Sequence, residues 1–190
     1  MLHFVVILSY LVSFALVDWV IAPIQTYLLS SEALIGSLLF LPHGVRVLSA
    51  MLMGWRAFPA LFLAHVLGII LIWEPGAALH FEELILLAIV GSASALLVWS
   101  AMRMAGIELA QSGRLGDNWR LVIFVGAVAS FVNSLGTVAV IAVVHPEMVG
   151  ATSLTQISVF AIGDTLGAFG LLLLLVLMRR IWRMQSSGVL

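Results

Sequence analysis

The stretch FLPHGVRVLSA, Phe40 to Ala50, decides how this chain is read. It lies inside an apolar run, yet it carries a proline, a histidine, a glycine and an arginine. Proline removes a backbone donor, and glycine admits dihedrals closed to other residues. Irregular backbone is tolerated at membrane depth only where it is buried in protein or lines a wet cavity. The pattern therefore predicts a transmembrane helix broken at Pro42–Gly44, with His43 and Arg46 turned into a bundle interior. Three residues apart, those two side chains share one helix face. A plain proline kink is the simpler reading of the same residues. Broken helices near the midplane also build substrate and ion sites.

Composition fixes the surroundings. The 190 residues are 63% hydrophobic and 9% charged, with a mean hydropathy of +1.22. A soluble domain is nearer 45–50% apolar and about 25% charged, so this is an integral membrane protein. All eight basic residues are arginine. With no cysteine there are no disulfides, no thiol chemistry and no cysteine metal sites. A net charge of −1 argues against a nucleic-acid surface. The opening MLHFVVILSYLVSFALVDWV lacks a basic start and a small-x-small cleavage site, so it reads as a retained first helix.

A membrane helix needs about 20 apolar residues. Six runs qualify, at 4–22, 33–53, 57–73, 84–102, 120–144 and 154–178. With both termini cytoplasmic, Arg56, Arg103, Arg114, Arg120, Arg179, Arg180 and Arg183 all fall inside. The outer segments carry Glu32, Glu74, Glu82, Glu83 and Glu147 and no arginine. That asymmetry supports the orientation and the even helix count. The expected fold is an all-α bundle of about six transmembrane helices forming one domain, 1–190, without a soluble domain. Trp19, Trp55, Trp73 and Trp119 fall near run ends, as an aromatic belt requires.

Against this background the polar residues at depth stand out. Arg46 and His43 lie in the second run, His65 in the third and Asp164 in the sixth, with Asp18 nearer an outer edge. A charge at the bilayer centre costs about 2.5–3.5 kcal/mol on insertion scales and faces the bundle interior. Asp164 is the one acid at comparable depth, which predicts an Arg46–Asp164 ion pair with His43 or His65 beside it. Such a pair either locks two helices together or also lines a polar cavity. In the fifth run Gly126, Ser130, Asn133 and Thr137 share one helix face. Small residues there serve packing, while Asn133 is placed to reach Asp164 or a ligand. Gly163 and Gly167 flank Asp164 as a small-xxx-small pair, which lets membrane helices approach closely. The candidate ligand-binding set is Pro42, His43, Arg46, His65, Asn133 and Asp164. Gly44, Gly163 and Gly167 are the candidate packing residues. His80 and His145 fall with the outer glutamates and read as solvated loop residues. The chain carries no zinc-protease HExxH, phosphate loop or nucleophile elbow. No enzymatic activity, metal or cofactor is expected.

Two segments together resemble a known family. LPHGVRVLSAMLMGWRAFPALFLAHVLG is similar to the Pro-x-Gly segment and following Gly–basic–Pro helix of the MASE1 integral membrane sensory domain. FAIGDTLGAFGLLLLLVLMRR resembles its closing Gly-Asp-x-x-Gly helix with a basic end, and VGSASALLVWSAMRM its helix followed by a basic turn. Pro42, Gly44, Gly163, Asp164 and Gly167 match the pattern. His43 and Arg46 stand where the family has small or apolar residues, and Ser92 and Ser94 where it tends to Asn or Glu. The family's usual helix count is about eight, and it is mostly fused to histidine kinases or diguanylate cyclases. The resemblance implies a multi-pass sensor in a bacterial inner membrane, here without an output domain, signalling through a separate membrane-protein partner. Arg46 would be the group that meets a small anionic ligand. Two other functions fit the residues. One is an accessory subunit of a larger membrane complex, working through its apolar faces. The other is a small transporter using Asp164 or a histidine to couple protons.

Overall fold

The computed structural model describes residues 1–29, 37–73, 79–108, 118–146 and 152–186. Among them every regular element is helical. The first run becomes α1 (Leu2–Leu16), a π-helical turn (Val17–Ile21) and α2 (Ala22–Leu29). The second and third become α3 (Leu41–Met53) and α4 (Phe58–Leu71), joined by a 3₁₀ turn, Gly54–Ala57. Then follow α5 (Phe81–Met104), α6 (Trp119–Val144) and α7 (Thr152–Ser186). Glu32, Glu74, Arg114 and Glu147 lie outside the described residues.

Among the described residues five stretches are long and apolar enough to cross a membrane: Leu2–Leu28, Leu41–Leu71, Phe81–Met104, Trp119–Val144 and Leu154–Gln185. The second of these folds back on itself. Arg46 on α3 and His65 on α4 are 19 residues apart yet 3.1 Å from contact to contact. A straight helix would separate them by about 28 Å. The reversal occurs at Gly54, whose φ of 57° and ψ of −144° suit glycine alone.

α3 is the central post. Ten of its thirteen residues are buried. It packs against α1, α5, α6 and α7, while α1, α4, α5, α6 and α7 follow one another around it. The ring stays open between α7 and α1, where a groove reaches down to α3.

The expected break at Pro42–Gly44 lies a few residues upstream. Pro42 sits in the first turn of α3, where its missing N–H leaves no hydrogen bond unmade, and Gly44 simply continues the helix. The non-helical backbone is Ser37–Phe40, and each of its donors after Ser37 is provided for. Leu38 N–H donates to Gln25 Oε1 at 2.7 Å, Leu39 N–H to Ser37 Oγ at 3.2 Å and Phe40 N–H to the Gly163 carbonyl at 2.9 Å. This is the condition for irregular backbone within a membrane protein's interior.

The two ends of the bundle differ in charge. His3 Nε2 meets the Arg56 carbonyl at 2.9 Å, and Trp55 Nε1–H donates to Ser100 Oγ at 2.9 Å, so the N-terminus, the Gly54–Ala57 turn and the end of α5 are neighbours. α6 starts at that end and α7 finishes there, because Ser130 meets Ala161 and Gly126 faces Ala168. Arg56, Arg103, Arg120, Arg179, Arg180 and Arg183 are therefore gathered at one end. At the opposite end His145 Nε2 lies 3.2 Å from Glu83 Oε2, joining α6 to α5.

Candidate functional site

Packing places Asp164. Gly163 and Gly167 bracket it on α7, and both face the Ser37–Phe40 backbone. A Cβ on Gly163 would run into the Ser37 carbonyl oxygen, and one on Gly167 into that of Phe40. The pair expected to bring two helices together instead seats a bent, non-helical piece of chain against α7. That seat also starts α3 beside Asp164, with His43 in the first turn. Gly44 adds to the fit, since a Cβ there would lie 2.9 Å from the Leu171 side chain and 3.1 Å from Ala168 Cα.

His43 (0% exposed), Arg46 (2%), Asp164 (4%) and Asn133 (9%) form one buried cluster with Tyr10 (0%). Asn133 Nδ2–H donates to Asp164 Oδ2 at 2.8 Å. Arg46 Nη1–H donates along a longer limb, 3.5 Å, to Asn133 Oδ1. Arg46 Nη2 donates to Tyr10 Oη at 2.8 Å and to His65 Nδ1 at 3.1 Å. The Tyr10 and Phe40 rings flank the guanidinium at 5.5 and 5.4 Å, within cation–π range. The structure therefore corrects one expectation: Arg46 and Asp164 do not pair directly. The guanidinium is turned toward α1 and α4, and the Asn133 amide bridges the remaining gap. A fully desolvated charge pair is held here through a dipole rather than by contact.

The contacts fix the protonation of each imidazole. Arginine can only donate, so His65 Nδ1 accepts and His65 is the neutral Nε2–H tautomer. His43 Nε2 lies 3.0 Å from the Gly126 carbonyl, an acceptor, so it carries a hydrogen. The other nitrogen, Nδ1, faces Asp164 Oδ2 at 3.3 Å. That separation is within ion-pair range, although the angle is too poor for a hydrogen bond. Two lone pairs would oppose each other there unless a proton resides on Nδ1 or on the carboxyl. The pair is thus a one-proton site. Empty, it sets a lone pair against an anion. Loaded, it leaves the cluster with a net charge of +1, from Arg46 and the extra proton.

Of the predicted ligand-binding set, the structure brings together His43, Arg46, His65, Asn133 and Asp164. Pro42 contributes by starting α3. Among the described residues no group of three or more His, Asp or Glu side chains could hold a metal ion. Two further buried polar atoms, Arg46 Nε and Ser92 Oγ, make no hydrogen bond.

Sequence reading missed Tyr10 and Gly91. A tyrosine in the middle of an apolar helix needs a partner for its hydroxyl, and that signal was available in LSYLV. Gly91 on α5 is where the His65 ring lies against helix backbone. A Cβ there would strike the imidazole and come within 3.1 Å of Arg46 Nη2. Nothing in IVGSASA singles it out.

Comparison of the chain with protein families, with curated proteins and with solved structures returns no match.

Proposed function

We propose that this chain is a six-crossing membrane sensory module, both termini on its arginine-rich side, whose one-proton His43–Asp164 site sets the position of α7. The observation that carries the reading is the location of Asp164. It lies on α7 yet is tied to α3 through His43 and to α6 through Asn133. α7 then runs as one helix to Ser186, 35 residues in all and about 52 Å long. It exceeds the roughly 20 residues that a crossing needs. A change of proton occupancy against Asp164 therefore acts on a lever that leaves the bilayer. The groups facing the site are Asp164 from α7, Asn133 from α6, Arg46 from α3, Tyr10 from α1 and His65 from α4. The MASE1-like pattern of Pro42, Gly44, Gly163, Asp164 and Gly167 agrees with a sensory role. Arg46 spends three of its four Nη hydrogens on Tyr10, His65 and Asn133.

The test is a distance. Spin labels on a cysteine at Gln185 and on one at Trp55, in reconstituted protein, report α7 against the turn that ends α3. The expected result is a change in that distance as the pH is lowered from about 8 into the acid range, as the site takes up its proton. It should vanish in Asp164→Asn and in His43→Gln. A distance that ignores pH, or that responds equally in Asp164→Asn, sinks the proposal.

An accessory-subunit role is favoured by one feature. Leu173 to Met178 on α7 are exposed on every side, and so is Trp182. Co-purification of a stoichiometric membrane partner, insensitive to Asp164→Asn but lost on substituting this segment, would establish that role.

A further inference from the structure

The open seam of the ring offers a second site. α1, α3 and α7 enclose a groove of about 320 Å³. Its floor is Val45, Ser49 and Leu52 of α3, and its walls come from α1, with Val5 and Ser9, and from α7, with Leu171 and Leu175. A volume of that size falls within the range of ligand pockets, which begin near about 300 Å³.

The mouth of the groove is basic. Leu2 and Met53 line it at the arginine-rich end. Arg56 follows in the turn after α3, and its carbonyl meets His3. Arg179 stands four residues beyond Leu175, on the same face of α7. Both arginines are exposed. The described acid at this end, Glu108, follows α5, across the ring from the seam. An apolar slot that runs toward the end carrying Arg56 and Arg179 matches one class of ligand, since basic sites between transmembrane helices take anionic lipid head groups.

We infer that the α1–α7 seam binds an anionic phospholipid, with an acyl chain in the groove and the phosphate against Arg56 and Arg179.

The test uses the delipidated full chain in neutral detergent, titrated with dioleoyl phosphatidylglycerol or dioleoyl phosphatidylcholine and read by native mass spectrometry. The expected result is a one-to-one phosphatidylglycerol adduct, about tenfold or more tighter than phosphatidylcholine. Arg56→Ala with Arg179→Ala should reduce it to the phosphatidylcholine level. Ser9→Leu, or Val5→Phe, fills the groove and should weaken both lipids while circular dichroism stays helical. Equal affinity for the two lipids in the unaltered chain overturns the inference. So does phosphatidylglycerol binding that survives both groove-filling variants, or inorganic phosphate that competes as strongly as the lipid. A dimer abolished by Ser9→Leu would assign the seam to a second copy instead.

Discussion

The two ends of α3 are held by different means. At its start, Ser37–Phe40 lies against Gly163 and Gly167, and a Cβ on Gly44 would crowd Leu171 and Ala168. At its far end α1 and α7 stand apart and leave a groove. The tight end is also the polar end. Lipid tails are as apolar as leucine, so apolar side chains supply little that orders helices within a membrane. Close packing and interhelical hydrogen bonds must do so. Where the chain has glycines and a buried polar network, the neighbours of α3 are held by close packing and hydrogen bonds. Where it has Leu, Val and Ser, the seam is left to the solvent, which here is lipid.

The largest expected break in that contrast is Arg46→Met. It removes the donor shared by Tyr10, His65 and Asn133, and it leaves Asp164 buried without its cation. Breaking a buried charge pair costs about 3–5 kcal/mol, and unfolding in detergent should show a loss of that size. Adding Asp164→Asn should return much of it, because the stranded charge goes too. A loss below about 1 kcal/mol, a surface-pair value, would show that the network does not order the tight end. Next in size is Gly167→Ala. The added Cβ meets the Phe40 carbonyl oxygen, and backbone cannot step aside as a side chain can. Overpacking typically costs 1–3 kcal/mol, so a loss near about 3 kcal/mol is expected, together with a shifted Phe40. If Gly167→Ala unfolds like the unaltered chain, the non-helical segment is not seated there.

The same contrast explains how much the sequence disclosed. Hydropathy and arginine placement marked the apolar runs, because transfer energies and charge bias act residue by residue. The cluster members His43, Arg46, His65, Asn133 and Asp164 were legible for a related reason: a titratable group in an apolar run has few places to go. Their partners were less so. The direct Arg46–Asp164 pair fails because Tyr10 and His65 draw the guanidinium to the other side of α3, a competition visible only once α1 and α4 are placed. Pro42–Gly44 marked a discontinuity, but among the described residues the non-helical stretch is Ser37–Phe40, whose leucines and phenylalanine look like ordinary helix. What holds that stretch is tertiary, namely the Gln25 side chain, the Gly163 carbonyl and the two α7 glycines.

Gly91→Ala sits between the extremes. Its Cβ would meet a side chain, His65, rather than backbone. The imidazole can move, but it then leaves the Arg46 Nη2–H it accepts. About 1–2 kcal/mol is expected, near the value of a hydrogen bond to a charged group. Chemical-shift change confined to the His65 ring and the Arg46 guanidinium would check it. An unmoved His65 signal would mean that α5 retreats instead.

The smallest expected effect is Ser9→Leu, at the loose end. It adds more volume than Gly167→Ala does, two heavy atoms net against a single methyl, and places it in the groove. Ser9 is exposed there, and it lines the groove between α1 and α7. Stability should stay within about 0.5 kcal/mol of the unaltered chain. The pair of substitutions separates two accounts of the bundle. If steric volume alone governed, Ser9→Leu would be the costlier. If backbone contact at the polar end governs, Gly167→Ala is costlier by several fold, and unfolding of the two variants side by side in one detergent decides between them.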